Sequence, residues 1–182
     1  MASTLRGAKT SEEIRSVAVS LIHKHGFQAA SLRDIAAGAG IRVGSLYNHI
    51  TSKDDLLFSI METVMADLIE GQTELAQTPD VADRLRLMIR FHVRFHGERA
   101  SEVFIGNSEL RSLNPSHRTA IIRMRHEYEV LFRTVLEEGI RLGRFRQVDV
   151  TLTTFGILAM MSSFSPWYSL RGRRSLADVA TV

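Results

Sequence analysis

The chain has 182 residues, of which 45% are apolar and 24% are charged, and its net charge at neutral pH is +3. This composition is typical of a folded globular protein of one or two domains and excludes a disordered chain. It contains no cysteine, so disulfides, thiol catalysis and thiolate metal sites are excluded as well. No apolar run reaches the roughly 20 residues of a membrane span, and the N-terminus lacks the apolar core of a signal peptide. We therefore expect a cytoplasmic protein without a membrane partner.

Helix start and stop signals divide the N-terminal part of the chain into an arm and four helices. Residues 1–9 are expected to be a mobile arm, and Thr10 begins the first helix. Ser31 and Ser52 each precede an aspartate by three residues, which is the spacing of a capping box. Gly40 supplies the permissive backbone of a tight corner between helices. The predicted helices are residues 10–25, 32–39, 43 to 48 or 49, and 53–78.

A glycine corner followed by a short helix and then a longer one is typical of a helix-turn-helix, whose second helix enters the DNA major groove. The charged side chains between residues 23 and 53 are Lys24, Arg33, Asp34, Arg42 and Lys53. This local excess of cations suits a surface that faces phosphates. The stretch is therefore predicted to bind double-stranded DNA.

The candidate DNA contacts form two groups by position. Side chains on the short helix can reach base edges, and this group is Arg42, Val43, Ser45, Leu46 and Asn48. Side chains around it suit phosphate contacts, and this group is Ser31, Tyr47, His49, Thr51, Ser52 and Lys53. Gly44 lets the backbone approach the DNA closely. Leu46 has an alternative role in the core, and the segment as a whole has the alternative of a helical corner with solvated charges.

The same stretch resembles the TetR family of transcriptional regulators. The matching residues are Gly26-Phe27, Ser31-Leu32, Ile35-Ala36, Gly40-Ile41, Gly44-Ser45-Leu46-Tyr47, His49 and Ser52-Lys53-Asp54-x-Leu56. Two positions depart from the family pattern: Arg42 replaces a serine or threonine cap, and Ile50 replaces a phenylalanine. The resemblance implies phosphate contacts by Tyr47 and Lys53. It also implies a DNA-binding domain at residues 1–56 and a ligand-binding and dimerisation domain at residues 57–182.

The rest of the chain carries no strand pattern, so the fold is expected to be all-α. Pro79 interrupts the fourth helix, Ser101 is expected to cap one helix, and Asp149 another. Asn114 followed by proline is a further start signal. The predicted helices are residues 81–97, 102–113, 115–142, 150–164 and, as a short last one, 175–182. Residues 150–164 are apolar on nearly every side, which predicts burial by a second subunit. Because the last helix is only about two turns long, either the native chain continues or packing holds it.

Aromatic and polar side chains of the second domain are candidates for a small-molecule site, with ordinary core packing as the alternative. They are Phe91, Phe95, Phe104, Asn107, Met124 and Tyr128. A proline-bounded loop adds Trp167, Tyr168, Arg171 and Arg174. Aromatic faces can stack on a purine and guanidinium groups can bind phosphates, which suits an acyl-CoA thioester. The alternative for Trp167 is packing at the dimer interface.

The C-terminal half also resembles TetR regulators of fatty-acid or sterol breakdown that respond to acyl-CoA. This likeness is carried by His92-Val-Arg-Phe-His96, by residues 104–113 and by Trp167-Tyr168. It implies a dimeric repressor that an effector releases from a palindromic operator, with no other cofactor. Another apolar effector, such as a drug-like molecule, is the first alternative.

A further alternative is a different class of protein, an all-α metal-dependent hydrolase. His92 and His96 lie one helical turn apart, and this spacing can chelate a metal. No serine nucleophile motif, glycine-rich phosphate loop or carboxylate pair accompanies them. We therefore expect no catalytic site, no bound metal and no enzyme.

Overall fold

The structure is a computed structural model that describes residues 2–163, except for the side chains of residues 2–6 and 8. The described residues form eight α-helices and one short 3-10 turn, and they contain no strand. The helices are α1 Ala2–His25, α2 Leu32–Gly38, α3 Val43–Leu46, α4 Lys53–Leu75, α5 Val81–Glu98, α6 Ala100–Ser108, α7 Pro115–Arg141 and α8 Val150–Ser163, with the 3-10 turn at Leu110–Ser112. The predicted all-α fold is confirmed. None of the described helices is long and apolar enough to cross a bilayer.

The first helix begins at Ala2, so the prediction of a mobile arm at residues 1–9 is wrong for the described residues 2–9. Ser11 shows why Thr10 is not the start, because its hydroxyl donates to the Gly7 carbonyl oxygen at 3.2 Å, one turn back within the same helix. Gly7 is tolerated in a helix interior at a cost of about 1 kcal/mol relative to alanine.

Local side-chain caps start most of the remaining helices, and those at Ser31, Ser52, Asn114 and Asp149 are the ones that the sequence predicts. In each cap, a backbone amide of the first turn donates a hydrogen bond to the side-chain oxygen of the cap residue. The pairs are Asp34 N to Ser31 at 3.1 Å, Asp55 N to Ser52 at 3.0 Å, Ala82 N to Asp80 at 2.9 Å, His117 N to Asn114 at 2.9 Å and Leu152 N to Asp149 at 2.9 Å. Each such cap stabilises its helix by about 1 kcal/mol. The predicted cap at Ser101 is wrong, because α6 already begins at Ala100 and Ser101 lies inside it.

The chain forms two compact units. The first consists of Met1–Val64 together with Ser101–Ala120, and the second of Met65–Ala100 together with Ile121–Val182. Helices α4 and α7 therefore each contribute residues to both units. The division at residue 56 that the sequence suggests remains a prediction.

Three polar contacts hold residues 101–120 within the first unit. Arg15 Nη2 donates to Glu102 Oε1 at 2.6 Å, and the Phe27 amide donates to Glu109 Oε1 at 3.1 Å. Asn114 also donates through its amide nitrogen to Asp54 Oδ1 at 2.8 Å. The partners are 60 to 87 positions apart in sequence, so no local pattern announces them.

The second unit is built around an apolar core from α4, α5, α7 and α8. Its buried side chains include Leu68, Met88, Val93, Ile121, Phe132, Val135, Leu136 and Met161. Helix α8 is only partly covered within one chain, since Leu152, Phe155 and Met160 are 68%, 50% and 69% exposed. An apolar helix face of this kind is typical of a surface that another molecule covers.

Candidate nucleic-acid interface and ligand site

Helix α3 lies between two capping boxes in the first unit. Ser31 Oγ donates to Asp34 Oδ2 at 2.6 Å and accepts from the Asp34 amide, and Ser52 does the same with Asp55 at 2.8 Å. The corner before α3 is made at Gly40, whose φ of 68° is a left-handed conformation that favours glycine. These local interactions fix the starts of α2 and α4 and the corner from which α3 follows.

Most of the predicted base-contacting residues lie on the open face of this segment. Arg42 is the residue before α3, and it makes no side-chain cap bond, so its guanidinium is not engaged in capping. The exposed residues are Arg42, Val43, Gly44, Tyr47, Asn48, His49 and Thr51, while Ser45 is half-buried. Leu46 is 0% exposed, so its predicted place in the DNA groove is wrong and the alternative core role is correct.

Two of the predicted phosphate contacts, His49 and Lys53, are held by interactions with residues of neighbouring segments. His49 Nδ1 hydrogen-bonds to Ser11 Oγ at 3.0 Å. Lys53 Nζ donates to the Gln28 carbonyl oxygen at 3.2 Å and lies 4.4 Å from the centre of the Phe27 ring. Burial lowers the pKa of Lys53, and the carboxylate of Glu109 partly offsets this. Lys53 is therefore fixed in position at the start of α4 before any ligand binds.

A cluster at the N-terminal ends of α4 and α7 was not predicted. The carboxylate of Asp54 accepts hydrogen bonds from the side chain of Asn114 at 2.6 Å and from His117 Nδ1 at 2.5 Å. The His117 ring also stacks on Phe58 with a centroid separation of 4.2 Å. The sequence showed Asn114 as a helix cap, but the aspartate partner lies 60 residues away. The cluster fixes the first turn of α4, which directly follows the residues predicted to contact DNA.

The predicted ligand residues do not all belong to one unit. Phe95 and Tyr128 are buried in the second unit, and Phe91 and Met124 are half-buried there. Phe104 and Asn107 instead lie on the part of α6 that belongs to the first unit, and both are exposed. The Phe104 ring makes an edge contact with His23 at a centroid distance of 5.1 Å. Trp167, Tyr168, Arg171 and Arg174 lie outside the described residues.

A buried polar cluster, formed by Gln72, His92, His96 and Tyr128, lies inside the second unit. These four side chains are between 0% and 6% exposed. Tyr128 Oη is 3.0 Å from Gln72 Nε2 and 2.6 Å from His92 Nδ1. The two imidazole rings pack against each other with centroids 3.8 Å apart and planes tilted by 30°. Gln72 was not predicted to belong to a site. The sequence does contain a signal for it, because this polar residue interrupts the apolar face of α4 between Leu68 and Leu75.

Burial determines the charge of this cluster. It lowers the pKa of His92 well below its ordinary value, and the neighbouring His96 lowers it further. Burial also lowers the pKa of His96 to about 4 and raises the pKa of Tyr128. All members of the cluster are therefore neutral at physiological pH.

The metal-hydrolase alternative does not agree with this geometry. His92 Nδ1 already hydrogen-bonds to Tyr128 Oη at 2.6 Å, and the His92 and His96 rings pack against each other with their planes tilted by 30°. Within residues 2–163, a group of three side chains with metal-ligand spacing occurs at Asp54, Asp55 and His117 and not at His92 and His96. In that group, the Asp54 carboxylate already accepts hydrogen bonds from the Asn114 side chain and from His117 Nδ1.

Comparison with known proteins agrees with this arrangement. The family described as "Bacterial regulatory proteins, tetR family" matches residues 14–60, and the family "Tetracyclin repressor-like, C-terminal domain" matches residues 78–182. The HTH-type transcriptional repressor KstR2 of Rhodococcus jostii is 32% identical over 143 residues, which are 77% of this chain and 70% of KstR2. The fatty acid metabolism regulator protein of Bacillus subtilis is 27% identical over 142 residues, covering 77% and 73% of the two chains.

A solved structure of similar fold is that of AibR in complex with isovaleryl coenzyme A and operator DNA. It superposes with a TM-score of 0.85 at 27% sequence identity, covering 94% of each chain. The family match at residues 14–60 includes α3 and the two capping boxes on either side of it, and the family match at residues 78–182 includes the second unit except for its residues 65–77. This family consists of transcriptional regulators, which are not enzymes. The chain therefore belongs to the TetR family of bacterial transcriptional regulators.

Proposed function

We propose that the protein is a dimeric repressor that binds a palindromic operator through α3 and is released from it by an acyl-CoA thioester of lipid or sterol breakdown. Residues 1–56 are proposed as the DNA-binding domain and residues 57–182 as the ligand-binding and dimerisation domain. The observation that carries the DNA-binding part is the open face of α3, where Arg42, Tyr47 and Asn48 are exposed between two capped helices. The AibR complex with operator DNA supports the same assignment.

DNA binding is tested by two substitutions that act differently. A Cβ atom at Gly44 would meet no protein atom within 4 Å, so Gly44→Ala is compatible with the fold. If the backbone of α3 approaches DNA closely, this variant loses affinity without losing thermal stability. Lys53→Met keeps an unbranched apolar side chain beside Phe27 but removes the charge that lies over its ring. It is expected to weaken binding to all sequences and to lower the salt slope by about one.

The measurement is fluorescence anisotropy with duplex DNA selected from a random pool, repeated at several salt concentrations. Arg123→Ala is the matched control, because this arginine is exposed on α7 with a side-chain accessibility of 74%. Unchanged affinity and an unchanged salt slope in both test variants would contradict the proposed interface.

Dimerisation is supported by the apolar face of α8. Leu152, Phe155 and Met160 are at least half exposed within one chain, and a second subunit would remove them from water. Two DNA-binding segments also supply the contact area that one short helix lacks. Sedimentation of Leu152→Glu and of the exposed control Ile122→Glu tests this, since only the first is expected to give monomers.

The effector class is supported by the relatives and by the chemistry of the second unit. A fatty acid regulator and KstR2 are among the similar proteins, and AibR was solved with isovaleryl coenzyme A. The apolar interior of the second unit suits an acyl chain. Arg171 and Arg174 are proposed to bind phosphates, and Trp167 and Tyr168 to stack on the purine.

Titration of coenzyme A and an acyl-CoA series, followed by tryptophan emission, tests the effector class. Trp167 is the only tryptophan in the chain, so any change in emission reports on its surroundings. Saturable change that weakens in Arg171→Ala and Arg174→Ala, but not in Arg123→Ala, is expected. No change at concentrations well above micromolar would contradict the acyl-CoA assignment and leave DNA binding unaffected.

A further inference from the structure

In the buried polar cluster of the second unit, the chemistry of each group determines which atom donates and which atom accepts. Gln72 Nε2 lies 3.0 Å from the Met88 carbonyl oxygen, which can only accept, so this atom of the amide is the nitrogen. Its second hydrogen points to Tyr128 Oη at 3.0 Å. Both amide hydrogens of Gln72 are therefore used, and the carbonyl oxygen of the same side chain remains.

The next hydrogen bond of the cluster joins Tyr128 to His92. Because Tyr128 Oη accepts from Gln72, its own hydrogen is donated to His92 Nδ1 at 2.6 Å. A neutral imidazole that accepts at Nδ1 carries its hydrogen at Nε2. That nitrogen faces Ser162 Oγ at 3.4 Å. The chain from Gln72 to Ser162 is thus a set of donors that all point the same way.

Two buried polar atoms of this cluster have no hydrogen-bond partner within the described part of the chain. They are Gln72 Oε1 and His96 Nδ1. Gln72 is 0% exposed and His96 is 6% exposed, so bulk water does not solvate these atoms. An unpartnered buried polar group costs as much as a lost hydrogen bond, and native proteins rarely leave one without a function or a bound molecule.

We propose that Gln72 Oε1 and His96 Nδ1 are ligand contacts, and that the second unit recognises an apolar molecule carrying a neutral hydroxyl group. This inference rests on the proposed function only in placing an effector in the second unit. The ligand must donate, because an amide oxygen only accepts. A hydroxyl can donate to Gln72 and also pair with either tautomer of His96, whereas a plain hydrocarbon can do neither.

The cluster disfavours a carboxylate at the same place. A carboxylate brings no hydrogen for Gln72 Oε1, and its charge would be buried beside two neutral imidazoles without a cation from the cluster. Arg125 lies nearly one turn before Tyr128 on α7, but it already interacts with another group of the protein. The surrounding buried residues, among them Met88, Phe95 and Phe132, are apolar and suit the hydrocarbon part of the ligand.

The test compares ligands that differ by one oxygen. The probes are decanoyl-CoA, the same thioester hydroxylated at the third, sixth or tenth carbon, and free decan-1-ol against decanoate. Their affinities are measured by calorimetry for the full-length protein, for Gln72→Met and for His96→Phe. Gln77→Met is the matched control, since Gln77 is an exposed glutamine just beyond the same helix.

We expect at least one hydroxylated thioester to bind about 10-fold more tightly than decanoyl-CoA, and decan-1-ol to bind more tightly than decanoate. Gln72→Met removes the acceptor with little change in volume and should reduce the preference to within about two-fold. His96→Phe should weaken it as well, and it serves as the second probe if Gln72→Met does not fold. Gln77→Met should keep the full preference.

The remaining outcomes separate this inference from the proposed effector class. Binding of all thioesters without any preference for a hydroxyl would overturn the inference and leave the acyl-CoA proposal standing. A preference that survives both Gln72→Met and His96→Phe would also overturn it. If no thioester binds but decan-1-ol still binds in preference to decanoate, the effector class is wrong and the hydroxyl site is supported. Binding of no probe at all would overturn both.

Discussion

The titration of His96 connects the buried polar cluster to the stability of the second unit. Its pKa falls from an ordinary 6.5 to about 4 because burial penalises the charged ring. Below pH 6.5 the unfolded chain binds a proton that the folded protein does not accept until about pH 4. The contribution of the neutral His96 ring to the free energy of unfolding is therefore complete above pH 6.5. It is lost as the pH falls towards 4 and changes no further below that.

The size of the effect follows from the same two values. Lowering the pH from 7.5 to 5 should reduce the free energy of unfolding by about 2 kcal/mol through His96 alone. The measurement is urea unfolding of the wild type and of His96→Phe at both pH values, followed by circular dichroism. The phenylalanine variant cannot bind this proton, so its loss of stability on acidification should be about 2 kcal/mol smaller than that of the wild type.

His126→Phe is the matched control, because His126 is exposed on α7 in the same unit with a side-chain accessibility of 63%. It should keep the pH dependence of the wild type. If His96→Phe and the wild type lost equal stability between the two pH values, His96 would not be held neutral by burial. The same result would show that the polar cluster is open to water.

Two further predictions concern packing and capping. Gly71→Ala should destabilise the protein by about 1–3 kcal/mol, because the added Cβ would lie 2.2 Å from Phe91 Cζ. Gly106→Ala is the control, since its added Cβ would meet nothing within 4 Å. Equal melting temperatures of the two variants would contradict this reasoning. Ser31→Ala should lower the free energy of unfolding by about 1 kcal/mol, because the Asp34 amide loses its acceptor at 3.1 Å. Thermal unfolding measures this change, and an unchanged melting temperature would show that the cap contributes nothing.

The family and the helix pattern could be predicted from sequence because their signals are local. A capping box links residues three positions apart, so Ser31 and Ser52 mark helix starts wherever the rest of the chain lies. Gly40 likewise specifies its corner through its own backbone freedom. The error at residues 1–9 is also local, since Thr10 and Ser11 are cap-forming residues that here lie inside a longer helix. The sequence alone thus determined an all-α regulator of this family and the place of its short helix α3.

Only the tertiary structure decided which distant residues share a site. Residues 101–120 join the first unit through pairs such as Arg15 with Glu102, separated by 87 positions, and this places Phe104 in the first unit. Gln72 meets Tyr128 across 56 positions, which no periodicity reveals. Leu46 shows the same limit within one turn, because a leucine on a short helix fits a groove or a core equally well by pattern. The physical reason is that burial and hydrogen-bond partners depend on which helices pack together, whereas caps and corners depend only on neighbouring residues.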